Sequence, residues 1–215
     1  DEGAAPPPPP PTFADMVIKG DGPEIVDGDD TPDLSDGTDF GSASIAGATV
    51  SKTFTIENAG DAELALTGSP VVEISGAHAA EFTVTAQPTS PVAPAGTTTF
   101  TVQFNPSATG IRTASVSIVN SDENKTPYNF DIQGNGTAPD MEIEQNGVDY
   151  VSGGSFDFGD VLRDQTSQLT FTILNEGDAN LELTGSPIVA ISGDAEFSIV
   201  VQPTTEQSQN FLLVK

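Results

Sequence analysis

From Val50 to Asn58 the apolar residues Val50, Phe54 and Ile56 share one parity, while Ser51, Thr53, Thr55 and Glu57 share the other. A period of two predicts a strand with one face buried and is incompatible with a helical stripe. The turn-tolerant cluster Asn58-Ala59-Gly60-Asp61 follows, alternation resumes at Leu64 and Leu66, and Gly68-Ser69-Pro70 breaks it again before a short strand at Val72 and Ile74. Strands this short cannot bury an apolar stripe alone, so a second sheet must cover it. The pattern therefore predicts a two-layer antiparallel sandwich.

The stretch Thr53 to Gly76 returns at Thr170 to Gly193, offset by 117, with 18 of 24 positions identical. The chain is a tandem repeat of one β-rich module. Further strands of the first copy are expected at Phe82-Thr83-Val84, Thr97 to Phe104, Ile111 to Asn120 and Tyr128 to Gln133, separated by Pro- and Gly-bearing turns. Met16-Val17-Ile18 supplies an early strand, with Met141-Glu142-Ile143 as its counterpart. With these, the module has the strand count of an immunoglobulin-like sandwich.

The division predicted is a proline-rich stalk over residues 1–14, a first sandwich over 15–137 and a second over 138–215. Pro6 to Pro11 cannot enter a sheet interior and favour a stiff polyproline II spacer. Module two runs to Asn210-Phe211-Leu212-Leu213-Val214-Lys215, the counterpart of Thr99 to Phe104, and carries nothing matching Ile111 to Gln133. Its last two strands are missing, which predicts an unpaired edge and an open core. Two readings follow: these residues are a piece of a longer protein, or another chain supplies the missing strand by strand addition, giving a homo-polymer. Met16-Val17-Ile18 behind its proline tether is the candidate donor.

Charge narrows the partners. Thirty-two acidic residues against six basic ones give a net charge of −26, which repels nucleic-acid phosphates and anionic lipid surfaces. No apolar run reaches the length of a membrane span, and Asp1-Glu2-Gly3 lacks the basic and apolar regions of a signal peptide, so the start reads as a mature or excised end. Cysteine is absent, which excludes disulfides and thiolate metal sites. Solubility or adaptation to high salt accounts for such charge; binding of a divalent cation is the sharper alternative.

That alternative has one location. Asp27, Asp29, Asp30, Asp33, Asp36 and Asp39 recur every two to three residues in a loop with Gly28 and Gly37, whereas module two has few acids at the matching Gly153 to Asp160. Such a loop can wrap Ca²⁺, which takes about six to eight oxygen ligands. The spacing departs from an EF-hand, with Thr31 where a third ligand belongs and no closing Glu. A solvated acidic loop is the plain alternative.

Thr38-Asp39-Phe40-Gly41, Thr53-Phe54-Thr55-Ile56-Glu57-Asn58, Leu66-Thr67-Gly68, Phe82-Thr83-Val84, Phe104-Asn105-Pro106 and Asp131-Ile132-Gln133-Gly134 together resemble the "choice-of-anchor D" repeats of bacterial surface proteins. Those are similar to the Hydin-type immunoglobulin-like modules of ciliary and centrosomal proteins. The resemblance implies antiparallel sandwiches strung along large exported proteins, with no catalytic residues to carry over.

Other chemistry is sparse. His78, the single histidine, stands in a loop away from any nucleophile motif. Lys52 shares the inward parity of Phe54 and Ile56, so it is either a rim lysine reaching water or the donor of a side-chain crosslink to Asn129 or Asp131. Asn124-Lys125-Thr126 and Asn135-Gly136-Thr137 fit the glycosylation pattern. The expected protein is a non-enzymatic extracellular scaffold or adhesive module, engaging other modules of its own or a neighbouring chain. A self-assembling surface filament is the alternative. A carbohydrate-binding appendage is a third reading, opposed by the absence of Trp and by having only Tyr128 and Tyr150 to offer as sugar platforms.

Overall fold

The computed structural model describes residues 12–204 and, as backbone, 209–214. The proline run and most of the expected stalk lie outside the described residues. The chain divides into two compact units, one up to Gly136 and one from Thr137.

The first unit is a two-sheet sandwich. Its strands are β1 (Met16–Lys19), β2 (Glu24–Ile25), β3 (Asp39–Ser44), β4 (Val50–Asn58), β5 (Val72–Ser75), β6 (Phe82–Ala86), β7 (Thr97–Phe104), β8 (Gly110–Ile118) and β9 (Tyr128–Thr137). One sheet has the order β2-β1-β4-β7-β6 and the other β3-β9-β8-β5. As in an immunoglobulin-like sandwich, two antiparallel sheets each combine strands distant in sequence. The longest pairing, β4 with β7, runs antiparallel from Val50 opposite Phe104 to Glu57 opposite Thr97.

Alternation along these strands builds the core. Phe54, Ile56, Phe100, Val102 and Phe104 from one sheet meet Val116, Ile118, Phe130 and Ile132 from the other, all buried. Phe54 stacks on Phe100 with ring centroids 5.1 Å apart, and Phe82 on Phe104 at 4.9 Å. Offset stacking of this kind adds to what burial alone contributes. Gly134 on β9 lies directly against the Phe104 ring, where any Cβ would collide with it. Leu64 and Leu66 form no strand: Leu64 bridges to Val92 and Leu66 to Asn120, so the segment passes between the layers without building a ladder.

The second unit has β10 (Met141–Gln145), β11 (Val148–Asp149), β12 (Gln168–Asn175), β13 (Ser198–Val201) and β14 (Gln209–Val214). Its described residues form one sheet, ordered β11-β10-β12-β14-β13, the counterpart of β2-β1-β4-β7-β6. Among the described residues the counterpart of β5 is unformed, although Ile188-Val189-Ala190-Ile191-Ser192 nearly repeats Val71-Val72-Glu73-Ile74-Ser75. Pairing explains the difference. β5 is held to its sheet by β8 alone, and among the described residues of the second unit no such neighbour gives 188–192 a ladder to join.

Candidate functional site

The acidic loop between β2 and β3 is fastened by its own carboxylates. Asp29 Oδ1 accepts from the Thr31 amide at 3.0 Å and the Thr31 hydroxyl at 2.7 Å. Asp33 Oδ1 accepts from the Ser35 amide at 2.7 Å, and the hydrogen bonds from Ser35 hold its pKa below the ordinary carboxylate value. Asp36, itself buried, accepts from the Thr38 amide at 2.9 Å and its hydroxyl at 2.6 Å. Asp39 takes the Gly41 amide at 2.7 Å and the Gln133 carboxamide of β9 at 2.8 Å. These are Asx turns, in which a short carboxylate caps the amide two residues on.

Asp27 and the main chain of Asp29 face β9. Asp27 Oδ1 accepts from the Asn129 amide at 2.9 Å, and the Asp29 carbonyl accepts from the Asp131 amide at 2.8 Å. Asp30 is exposed. With Asp29 it borders a groove of about 400 Å³ whose walls include Glu73, Ser115, Asn129 and Asp131. The sequence does not point to Glu73 beside this loop, and it points to Asp131 only as a crosslink partner of Lys52, because both come from distant strands whose outward parity is the one trace. Among the described residues no three acidic or histidine side chains are grouped so as to hold a metal ion.

The other candidates are engaged in structure. Lys52 forms an ion pair with Asp21 and does not reach Asn129 or Asp131. His78 Nδ1 accepts from the Thr113 amide at 3.0 Å, tying its loop to β8. Asn58, wholly buried, donates to the carbonyls of Ala62 at 2.8 Å and Val92 at 3.0 Å while accepting from the amides of Asp15 at 3.3 Å and Gly60 at 3.1 Å. Lys125 donates to Asp15 at 2.7 Å and to the Met16 carbonyl at 2.8 Å, and Asp122 accepts from the Met16 amide at 3.0 Å. The turn between β8 and β9 thereby pins the start of β1.

Neither tyrosine presents an open face. Tyr128 is fully buried, donating its hydroxyl to the Ile25 carbonyl at 2.6 Å, and burial pushes its pKa up to about 12. Tyr150 is half-buried, packed edge-on against Phe156 and Phe171. On β10, the carboxylates of Asp149, Glu176, Asp140 and Glu144 surround Glu142, and Asp149 is the strongest influence raising its pKa. No helix among the described residues is long and apolar enough to cross a membrane.

Comparison with known proteins places the first unit. Residues 33–135 match the family model of the HYDIN/CFA65/VesB-like Ig-like domain. The chain is similar to the ASH / PapD-like domain of human CEP192 (PapD-like domain 7), at 14% identity and a TM-score of 0.35, covering 63% of this chain and 94% of that one. It is also similar to a Porphyromonas gingivalis W83 protein of unknown function, at 10% identity and a TM-score of 0.29, covering 80% of this chain and 76% of that one. No curated protein matches the chain. Residues 33–135 thus resemble that Ig-like domain, in keeping with the two-sheet sandwich of the first unit.

Proposed function

We propose that the chain is a structural or adhesive scaffold segment of a bacterial surface or secreted protein, in which immunoglobulin-like modules act as spacers and as docking sites for other proteins. The observation that carries this reading is the engagement of the first unit's polar side chains. Asn58, Asp36, Asp122, Lys125 and His78 all hold main chain in place. A nucleophile with its base, or converging metal ligands, would instead leave such groups aimed at a common point. A charge of −26 supports an exposed, soluble role and keeps the module off phosphate-bearing surfaces.

The experiment is surface accessibility on the cells that make the protein. Antibody against the first unit should label intact cells or the culture medium, and mild protease applied outside should remove the signal. Labelling only after lysis overturns the extracellular reading.

A further inference from the structure

The turn between β10 and β11 is the two-residue loop Asn146-Gly147, closed by Gln145 opposite Val148. Asn146 has φ 53° and Gly147 φ 74°. Both central residues of so tight a hairpin take positive φ, and Asn-Gly is the dipeptide that suits it. The same dipeptide is chemically labile, because glycine has no side chain to shield its amide nitrogen from the asparagine carboxamide.

Whether an asparagine reacts in this way depends on what holds the next residue's amide nitrogen. Elsewhere that nitrogen is donating: Ala59 after Asn58 to the Asp15 carbonyl at 2.8 Å, Ser121 after Asn120 to Ala65 at 2.9 Å, Lys125 after Asn124 to Asp122 at 3.2 Å, and Glu176 after Asn175 to Asp140 at 2.8 Å. The other Asn-Gly of the first unit, Asn135-Gly136, lies inside β9, with Gly136 opposite Gly110 in the β8–β9 ladder and pressed against the Ala108 carbonyl. Gly147 stands outside any strand. Among the described residues neither its amide nor the Asn146 carboxamide has a hydrogen-bond partner, both residues are exposed, and nothing lies within 4 Å of where a Gly147 Cβ would stand.

We propose that Asn146 is a self-modification site, at which attack by the Gly147 nitrogen converts the carboxamide to a carboxylate or its isoaspartyl isomer and releases β11 from β10.

The Gly147 nitrogen gives its proton to hydroxide and bonds to Asn146 Cγ. The bond from Cγ to Nδ2 breaks, and the nitrogen takes a proton from water and leaves as ammonia. Water then opens the cyclic imide at one of its two carbonyls: one route leaves aspartate at 146, the other an isoaspartyl link with an extra backbone carbon. Water is the co-reactant, and nothing is oxidised or reduced.

Either product weakens the hairpin. Glu144 already stands opposite Asp149, and like charges so paired are destabilising; a carboxylate at 146 adds to them. The isoaspartyl link lengthens a loop that fixes the register of Gln145 on Val148. β11 is the outermost strand and pairs with β10 alone, so its ladder depends on this turn. The first unit has no such device. Gly20-Asp21-Gly22-Pro23 joins β1 to β2 without asparagine, and Lys19 stands opposite Glu24 where Glu144 stands opposite Asp149.

The test ages the full 215-residue chain in warm, mildly alkaline buffer, folded and in urea, and follows each asparagine by peptide mass mapping with isoaspartate labelling. In urea Asn135 and Asn146 should convert at similar rates, since glycine follows both. In the folded chain Asn146 should convert at least about tenfold faster than Asn135, which must wait for the β8–β9 ladder to open. Amide exchange over residues 142–149 should speed up in the aged chain and stay unchanged in an aged Asn146→Gly chain, which keeps the turn but has no carboxamide. Equal rates at the two sites in the folded chain overturn the proposal, as does an Asn146 that stays intact when folded yet converts in urea. Conversion with unchanged exchange overturns the release of β11.

Discussion

The carboxamide of Gln202 hydrogen-bonds both main-chain groups of Val189, accepting from its amide at 2.9 Å and donating to its carbonyl at 2.8 Å. Gln87 makes the same pair of bonds to Val72, at 2.9 Å and 3.3 Å. In the first unit this clamp ties the segment after β6 to the free edge of β5, and so links the two layers. In the second it persists although Val189 belongs to no strand. The clamp therefore needs only the one sheet and the segment beside it.

Replacing Gln87 by Leu strands the amide and carbonyl of the buried Val72. Unmade hydrogen bonds of buried groups cost on the order of 1–3 kcal/mol each, so Gln87→Leu is expected to destabilise the first unit by about 2–4 kcal/mol in urea unfolding. Gln202→Leu should cost under about 1 kcal/mol, because Val189 is only half-buried and water can replace the lost partner. Equal losses in the two variants would show that the clamp, and not the burial around it, sets the energy.

The alternation of Val50, Phe54 and Ile56 and the repeat of Thr53 to Gly76 were enough to read an all-β, immunoglobulin-like architecture, because strand parity and core burial are the same fact seen from two sides. Two things were not legible. Ile188 to Ser192 has strand composition but its state depends on a partner distant in sequence, which no local pattern reports. The direction of each carboxylate in Asp27 to Asp39 depends on loop dihedrals: the same spacing suits convergence on a cation and successive Asx turns. The structure has the turns, and it places Asp29 and Asp30 beside Glu73 and Asp131.

Tyr128 makes the first unit sensitive to alkali. Its pKa is raised to about 12 from an ordinary 10.0, first by burial and then by the charge of Glu24. A group with a raised folded pKa contributes stability that is complete below its unfolded pKa and lost as pH rises toward the folded one. Stability of the first unit should therefore fall between about pH 10 and pH 12. In a Tyr150→Phe background, tyrosinate absorbance should rise late, near the upper value and together with unfolding. Tyr128→Phe should flatten that pH dependence, at the cost of the bond to the Ile25 carbonyl. Early titration of Tyr128 without loss of structure would contradict its burial.

The acidic loop gives a test of calcium. With Asp36 occupied by Thr38, and Asp33 by Ser35, millimolar Ca²⁺ is expected to leave the melting midpoint unchanged, since only a ligand held by the folded state raises it. A rise of several degrees would show that the loop rearranges to present its carboxylates to the ion. Asp36→Asn preserves the acceptor and should be nearly silent. Asp36→Ala should cost about 1–2 kcal/mol by leaving the Thr38 amide unpaired.

Phe54 and Phe171 occupy the same repeat position, so truncating each to Ala compares a two-layer core with a one-layer core inside one chain. Phe54 is fully buried, with Phe40, Phe100 and Phe130 around its ring, and its removal leaves a cavity that neighbours in both sheets cannot fill. The expected cost is about 3–5 kcal/mol. Phe171 packs on Tyr150 and Phe156, and among the described residues no second sheet of its unit lies opposite it. Water or loop movement can relieve the space it vacates, so Phe171→Ala should cost less than about half as much. Unfolding of the full chain should accordingly show two transitions, the weaker belonging to the second unit. Phe54→Ala should move only the stronger transition and Phe171→Ala only the weaker. If the two truncations cost the same, the inner face of β12 is already as well packed as that of β4.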